Sequence, residues 1–461
     1  MFAAWARPPP APGNNTMRRR PIFEQTLQAM QMAPALSRYL SSLEQADSMP
    51  ADVLEAFQSE SLRAIARRAY EKSSFYQAKM DQAVVMPVDI KSTADLSRLP
   101  LLSKDELRQD PYLLLTCARE DIALIQVSTG TTGGQEVYQM STWSDYILHD
   151  LAPRYPKLFP VGPGDICMNA LPYEMSTAGL SFHKTFMEGY QATVIPAGKG
   201  GAYSTPSKTI KVMKDLRPTV IVTSPSWAIT LAEEAERVSL DLSTLNLKKI
   251  WLTGEGCSPA FRKRVEQIWG AQASFFYGSL ECGVLGIECD EHNGYHVPQA
   301  HVLMELVDPA TGLVAAPGDP GEIVVTSLLR YDSPVIRFRT GDLGVLDLSP
   351  CGCGARMPRF FLRGRAFDQI RFRGRALSPI YLEEHLLRMP EVGNWFEMVM
   401  PVCDESSIKV RCELARGAKH RPGLAEVLAG KMETATGLPF ELEIVEQMPR
   451  PTVKAARVVR N

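Results

Sequence analysis

Hydrophobic and polar residues change their rhythm along the chain. From 51 to 80, Leu54, Phe57, Leu62, Ile65 and Tyr70 recur at near-helical spacing between charged residues, which predicts a long helical stretch. Ser103-Lys-Asp-Glu106 has the form of a capping box and predicts another helix start. The apolar run 122–127 reads as a buried strand. Between 208 and 277 two kinds of apolar segment alternate. Short stretches at 219–223, 249–252 and 274–277 read as strands. Residues 208–216, 227–238 and 259–269 read as helices, the last with Pro259 at its start. Such alternation predicts right-handed crossovers and a mainly parallel sheet.

After 302 the pattern becomes short strands at 302–307, 322–326, 335–338 and 343–346, separated by Gly/Pro turns, as in an antiparallel subdomain. Beyond Gly364-Arg365 it changes again: strand 369–372, helix 380–387, strands 395–402 and 408–414, helix 424–436 and strand 440–445. The expected fold class is α/β: a large N-terminal domain with mainly parallel sheets and an antiparallel β subdomain, plus a small α+β C-terminal lid domain. The expected boundaries are a flexible tail over 1–20, a large domain over 21–363, a junction at 364–368 and a small domain over 369–461.

Length and composition fit that division. A chain of 461 residues exceeds one ordinary core, and 45% hydrophobic with 22% charged residues is ordinary for a globular protein. The formal net charge of −2 gives no bias toward nucleic acid or anionic membrane, and no apolar run reaches the length of a membrane span. The first twenty residues, with Pro8-Pro-Pro10 and Arg18-Arg-Arg20, lack the apolar centre of a secretory signal. Nine cysteines, an odd number without such a signal, favour reduced thiols and a cytoplasmic setting.

Chemistry is concentrated at Val127-Ser-Thr-Gly-Thr-Thr-Gly-Gly134. Glycines let backbone N–H groups converge on an anion, and Ser128, Thr129, Thr131 and Thr132 add hydroxyl donors, a set that suits a polyphosphate. The Lys-Ser/Thr ending of a nucleoside-triphosphatase P-loop is absent; Gly134-Gln135 stands there. A polar surface turn is the competing reading. Gly254-Glu255-Gly256 and Tyr277-Gly278-Ser279 follow predicted strands, and ligands bind parallel sheets beyond the carboxyl ends of their strands. Cys289, His296, Cys351 and Cys353 form Cys-x6-His … Cys-x-Cys, which fits a closed tetrahedral zinc site, with His292 as a competing ligand and unpaired thiols as the other reading.

In order along the chain, these motifs resemble those of the acyl- and aryl-adenylate-forming enzymes, and most of all the phenylacetate–CoA ligases. The resemblance runs from about Leu102 to the C-terminus. Residues 128–133, including Gly130 and Gly133, match the family's phosphate loop, with Thr129 for its second Ser and Gln135 where Pro is usual. Phe276-Tyr-Gly-Ser-Leu-Glu281 matches the Tyr-Gly-x-x-Glu element, which implies Tyr277 stacked on adenine and Glu281 on Mg²⁺, while Gly254-Glu255-Gly256 matches the adenine wall. Tyr331-Asp-Ser-Pro-Val-Ile-Arg-Phe-Arg-Thr-Gly-Asp342 implies Asp342 as the acceptor for both ribose hydroxyls, and Arg365 as a second ribose contact. A carboxylate suits a vicinal diol.

Phe367, with Asp368 next, occupies the hinge position that is usually Asp or Lys. Pro449-Arg-Pro-Thr-Val-Lys-Ala-Ala-Arg457 resembles the Pro-Arg-x-x-Gly-Lys segment, with Val453 for Gly and Lys454 as the catalytic lysine. Lys454, Glu281 and Thr131 form the implied catalytic set. Tyr173, Ala178, Gly179 and His183 fall where the family lines its acid pocket, small residues beside an aromatic that hint at an aryl acid.

The implied activity is ATP-dependent conversion of an aryl or arylacetic acid to its acyl-adenylate, followed by transfer to CoA. ATP, Mg²⁺, CoA and structural Zn²⁺ are the implied cofactors, and a homodimer is among the expected assemblies. Two alternatives remain: the same adenylation with a carrier-protein phosphopantetheine, an amine or another nucleophile as acceptor, and a non-catalytic nucleotide-binding relative.

Overall fold

The computed structural model describes residues 31, 33–128, 136–151, 153–366, 368–400, 407–451, 454, 455 and 457–460. The expected tail over 1–20 lies outside them. The helix expected over 51–80 is two helices, Ala51–Lys72 and Ser74–Gln82. Ser73 separates them in extended geometry, and its hydroxyl accepts the Tyr76 N–H at 3.4 Å, as an N-cap does. The predicted capping box is present: Ser103 Oγ accepts from Glu106 N–H at 3.2 Å and Glu106 returns a bond to Ser103 N–H at 2.8 Å.

The strand expected over 122–127 forms, but not as a buried element. Among the described residues β1 (Ile122–Val127) pairs only with β2 (Tyr138–Thr142), in a two-stranded antiparallel ribbon, and Ile125 is 47% exposed. The alternate residues Ala123 and Ile125 are exposed, so one face of β1 is open to solvent.

The principal sheet has eleven strands. β3 (Ile166–Ala170), β4 (Thr193–Ile195), β5 (Val220–Thr223), β6 (Lys249–Leu252) and β7 (Ala273–Ser279) pair in parallel in the order β4-β3-β5-β6-β7. β5 and β6 are buried throughout, as strands covered on both faces must be. Helices Pro206–Leu216, Pro225–Arg237 and Pro259–Trp269 are capped by the side chains of Thr205, Ser224 and Ser258, each with Pro in the first turn.

The antiparallel strands are no detached subdomain. β8 (Gly283–Glu288), β9 (Tyr295–His296), β10 (Val302–Val307), β11 (Pro320–Ser327), β12 (Phe338–Asp347) and β13 (Arg359–Arg365) continue the same sheet from β7 in the order β7-β8-β9-β13-β12-β11-β10. Of residues 335–338, expected as a strand, Phe338 opens β12 and 335–337 are a buried irregular segment, where Ser327 N–H donates to Val335 O at 2.9 Å.

A separate C-terminal α/β region follows the small ribbon of β14 (Ile370–Phe372) and β15 (Arg375–Leu377). Here β16 (Val392–Met400), β17 (Ile408–Leu414), β18 (Phe440–Ile444) and β19 (Val458–Arg460) form a sheet of order β18-β17-β16-β19 with helices Pro379–Leu387 and Leu424–Thr436. Its apolar residues join those of the parallel half of the large sheet in one cluster that includes Phe261, Val265, Leu382 and Leu386. No described helix is long and apolar enough to cross a membrane.

Candidate active site

Where the parallel half of the sheet turns antiparallel, the chain leaves a cavity of about 1040 Å³. β7 brings Phe276, Tyr277, Gly278 and Ser279 to its wall. The β7–β8 ladder slips register between Tyr277 and Gly278, and a Cβ on Gly278 would stand 2.7 Å from Gly283 O, so only glycine permits this approach. Glu281, in the turn after β7, is 5% exposed. Its Oε1 accepts no hydrogen bond, although the Lys104 ammonium stands 3.3 Å away.

Asp342 and Arg365 are cross-strand partners of β12 and β13. Arg365 Nε donates to Asp342 Oδ1 at 3.3 Å, and the Tyr277 hydroxyl donates to Asp342 Oδ2. Burial raises the Asp342 carboxyl pKa, with Arg365 and the Tyr277 hydroxyl pulling the other way. Burial and the Asp342 carboxylate together hold the Tyr277 phenol well above its ordinary value.

The opposite wall comes from the ends of β5 and β6. Gly254 has φ of +82°, and a Cβ on Gly256 would meet Ile380 Cδ1 at 3.2 Å. Glu255 Oε1 accepts from Ser226 Oγ at 2.7 Å and lies 3.1 Å from Lys199 Nζ, while Oε2 accepts from Ser226 N–H at 3.1 Å. Both members of the Lys199–Glu255 pair are buried. Lys454 enters from the C-terminal region, just ahead of β19, and also lines the cavity. Its pKa is pulled down from 10.5 to about 8, chiefly by burial and then by Arg365, with Lys199 and Lys104 adding to the effect and Glu255 opposing it.

Of the polyphosphate loop, Ser128 is described: its Oγ accepts from Val137 N–H at 2.9 Å and its own N–H donates to Val137 O at 2.9 Å, which closes the loop's base. Thr129, Gly130, Thr131, Thr132 and Gly133 lie outside the described residues, as does Phe367. Asp368 is on the cavity wall, with its N–H donating to Arg365 O at 3.3 Å.

The other end of the cavity is aromatic. Phe182 packs on Phe276 at 4.8 Å between ring centroids, Phe159 on Phe276 at 6.2 Å, and Tyr190 on Phe159 at 5.3 Å. The Tyr155 hydroxyl and His301 Nδ1, 2.8 Å apart, add a polar pair to this wall. Of the four expected acid-pocket residues, Ala178 lines the cavity and Tyr173, Gly179 and His183 do not. Tyr173 and His183 face each other instead, hydroxyl to Nδ1 at 3.1 Å. Gly179 serves close packing, because a Cβ there would lie 2.2 Å from Pro172 O.

Lys104, Lys199, Tyr155, Phe159, Phe182, Tyr190 and His301 were not singled out in the sequence as part of this site. For Lys199 a signal existed: Gly198-Lys-Gly-Gly201 follows the short edge strand β4 at the carboxyl end of the parallel sheet. The aromatic residues carry none, since they are scattered in sequence and meet only in the fold.

At the antiparallel end Cys289, His296, Cys351 and Cys353 converge, each with one ligand atom within 4.8 Å of the others. Cys289 Sγ lies 3.7 Å from Cys351 Sγ, and Cys353 Sγ lies 3.4 Å from His296 Nε2. Burial holds the His296 imidazole down to a pKa of about 4, so it is neutral and its ring nitrogen is open to a ligand bond. Its Nδ1 faces Met357 O at 3.3 Å, the kind of outer contact that orients a metal-bound imidazole. For Cys351, burial is outweighed by hydrogen bonds from the Cys353 N–H and from the Cys353 and Cys289 thiols, which bring its pKa below the usual thiol range. His292 stands apart, near Glu288 and Glu266.

A covered parallel sheet with one cavity at the carboxyl ends of its strands, lined by Asp342, Tyr277, Lys104, Lys199 and Lys454, is the arrangement in which such sheets hold a ligand. Comparison with known proteins gives the class. The family described as AMP-binding enzyme matches residues 50–328. A phenylacetate–coenzyme A ligase of Thermus thermophilus is 32% identical over 372 residues, 79% of this chain and 82% of that protein. The Escherichia coli phenylacetate–coenzyme A ligase is 29% identical over 436 residues, 91% of this chain and 97% of that one. Among solved structures, 2-hydroxyisobutyryl-CoA ligase in its postadenylation state has a TM-score of 0.82 at 23% identity, covering 90% of this chain and 91% of that one. The same enzyme in its thioesterification state scores 0.64. The chain belongs to the AMP-binding, adenylate-forming ligase family, on its phenylacetate–CoA ligase-like branch.

Proposed function

We propose that the chain activates an aromatic carboxylic acid with ATP and passes the acyl group to the thiol of CoA. One observation carries this reading. Lys454 from the C-terminal region reaches the same cavity as Tyr277, Asp342 and Glu281, and that cavity continues into an aromatic pocket. A nucleotide takes the polar end, with its ribose on Asp342 and Arg365 and its base against Tyr277 and the 254–256 segment. The ring of the acid lies among Phe159, Phe182, Tyr190 and Phe276.

Its carboxylate oxygen attacks the α-phosphorus, and the bond to the bridging oxygen breaks, so that pyrophosphate leaves. Both reactants are anions, and the Lys454 ammonium between them offsets their repulsion and the charge that moves in the transition state. The closed site holds them in reacting geometry. The C-terminal region then turns about 364–368, with Asp368 at the junction. The thiol sulfur attacks the acyl carbon, the thiol proton is released and AMP leaves with the electron pair of the broken mixed anhydride.

Glu281 would hold Mg²⁺, which neutralises phosphate charge: its buried Oε1 lacks a hydrogen-bond partner and is a hard oxygen ligand. The thiol–imidazole cluster would hold a structural Zn²⁺, since tetrahedral ligands at ~2.0–2.3 Å from zinc stand about 3.3–3.8 Å apart, as the measured pairs do. That ion would pin the end of β8 and β9 to the turn between β12 and β13.

The test is acid-dependent ATP–pyrophosphate exchange over aryl and short alkyl acids, then CoA with detection of the thioester by mass. Exchange with an aryl acid and a CoA product is the expected result. Exchange without a thioester would move the acceptor to a carrier protein or an amine. Preference for small alkyl acids would refute the aromatic reading.

A further inference from the structure

The C-terminal region docks on helix Pro259–Trp269 through reciprocal main-chain caps that neither nucleotide nor acid binding requires. Glu383 Oε1 accepts from Ser258 N–H at 2.6 Å and Glu384 Oε2 accepts from Ala260 N–H at 2.7 Å. Both carboxylates therefore sit on the N-terminal end of a helix in the other part of the molecule, where N–H groups lack intrahelical partners and the dipole favours negative charge. The same helix answers through Arg264. Its guanidinium donates to Leu387 O at 2.6 and 3.0 Å, Met389 O at 2.8 Å, Val392 O at 2.6 Å and Gly393 O at 3.1 Å. Leu387 O is a last carbonyl of helix Pro379–Leu387, one of the atoms a helix C-terminus leaves unsatisfied; Met389 O lies in the turn beyond it, and Val392 O and Gly393 O open β16.

This contact is tied to the catalytic segment. Arg457, on the stretch that carries Lys454, lies 4.0 Å from Glu383 and places its guanidinium 4.3 Å from the Phe396 ring centroid and 5.2 Å from that of Phe261. The contact is also suited to opening. Ser258 keeps its own cap, with Oγ accepting from Phe261 N–H at 3.2 Å, so the helix survives when the glutamates leave. Every bond is directional and most run to main chain, so a rotation of the C-terminal region loses them together.

We propose that Arg264, Glu383 and Glu384 form a latch that fixes the C-terminal region where it delivers Lys454 to the cavity, and that they are positioning residues for adenylate formation and not for acyl transfer. This rests on the two-step reading above. Arg264→Met keeps the aliphatic stem and removes the donors. In the full chain, ATP–pyrophosphate exchange is expected to fall about 10- to 100-fold, because the Lys454-delivering arrangement is depopulated, with KM for ATP within about twofold of the parent. Single-turnover transfer from a synthetic acyl-adenylate to CoA is expected to stay within about twofold, and Arg264→Lys to fall between parent and Arg264→Met.

Equal loss in both half-reactions would make Arg264 a general structural residue and overturn the latch, as would unchanged exchange. Where Arg264→Met does not fold, Glu384→Gln carries the same comparison. Should no acid support exchange even in the parent, the functional reading fails but the latch is still read by small-angle X-ray scattering. Arg264→Met is expected to widen the distance distribution, and identical curves would overturn the proposal.

Discussion

Raising the pH past 8 is predicted to lower kcat/KM for adenylate formation progressively through one group. The Lys454 pKa falls from 10.5 to about 8 because burial and the nearby Arg365, Lys199 and Lys104 charges disfavour the ammonium more than Glu255 favours it. Below that pH the lysine is charged and can sit between carboxylate and α-phosphate. One unit above it about one chain in ten retains the charge. The free enzyme's profile is read in kcat/KM for ATP, which should fall with a midpoint near 8. Bound triphosphate adds negative charge beside the ammonium, so the limb in kcat should lie at higher pH. Lys454→Met should lower exchange by roughly 10²–10³, about 2.7–4 kcal/mol of transition-state stabilisation, and should lose the limb. The assay is ATP–pyrophosphate exchange at saturating acid, from about pH 6.5 to about pH 9.5. A kcat/KM flat across that range, or a limb that persists in Lys454→Met, would falsify the placement of this charge.

The metal cluster predicts close to one zinc per chain by elemental analysis of protein purified without chelator. Cys353→Ser should lose that metal and lower Tm by roughly 5 °C or more, and a zinc-free parent with the same Tm as the variant would refute the site. Gly278→Ala should raise KM for ATP about tenfold and cost about 1–3 kcal/mol of stability, because its Cβ would meet the Gly283 carbonyl, which is main chain and cannot step aside. Parent-like KM and Tm would show that the β7–β8 turn relaxes more easily than its geometry suggests.

Of the parallel strands, β5, β6 and β7 were legible because they are short apolar runs between helices, and covered strands need no alternation to declare themselves, whereas β3 and β4 were not read. The strands that were missed declare themselves poorly. β8 opens on Gly283 and contains Gly286, and β13 begins on Arg359, which looks like a surface residue until its buried guanidinium is seen to donate to Asp347 Oδ2 at 2.7 Å. β9 is two residues long. The residues expected at the nucleotide stood out because they lie in compact motifs, such as 276–281 at the end of β7 and the segment leading to Asp342 within β12. The aromatic end of the cavity did not, because Phe159, Phe182 and Phe276 come from different elements and only the fold makes them neighbours.

Asp342 already has company within the protein: Arg365 holds one oxygen and Tyr277 the other. On the proposed reading, a ribose arriving there would exchange hydrogen bonds more than add them, so each would contribute only about 1 kcal/mol of net affinity. The same exchange runs in reverse when AMP departs, and the aspartate closes onto its internal partners without waiting for water. A buried carboxylate left bare would grip the sugar harder and keep the spent nucleotide. If Asp342 holds the ribose as proposed, its pairing with Arg365 and Tyr277 would trade tight binding for turnover at a site emptied once per cycle.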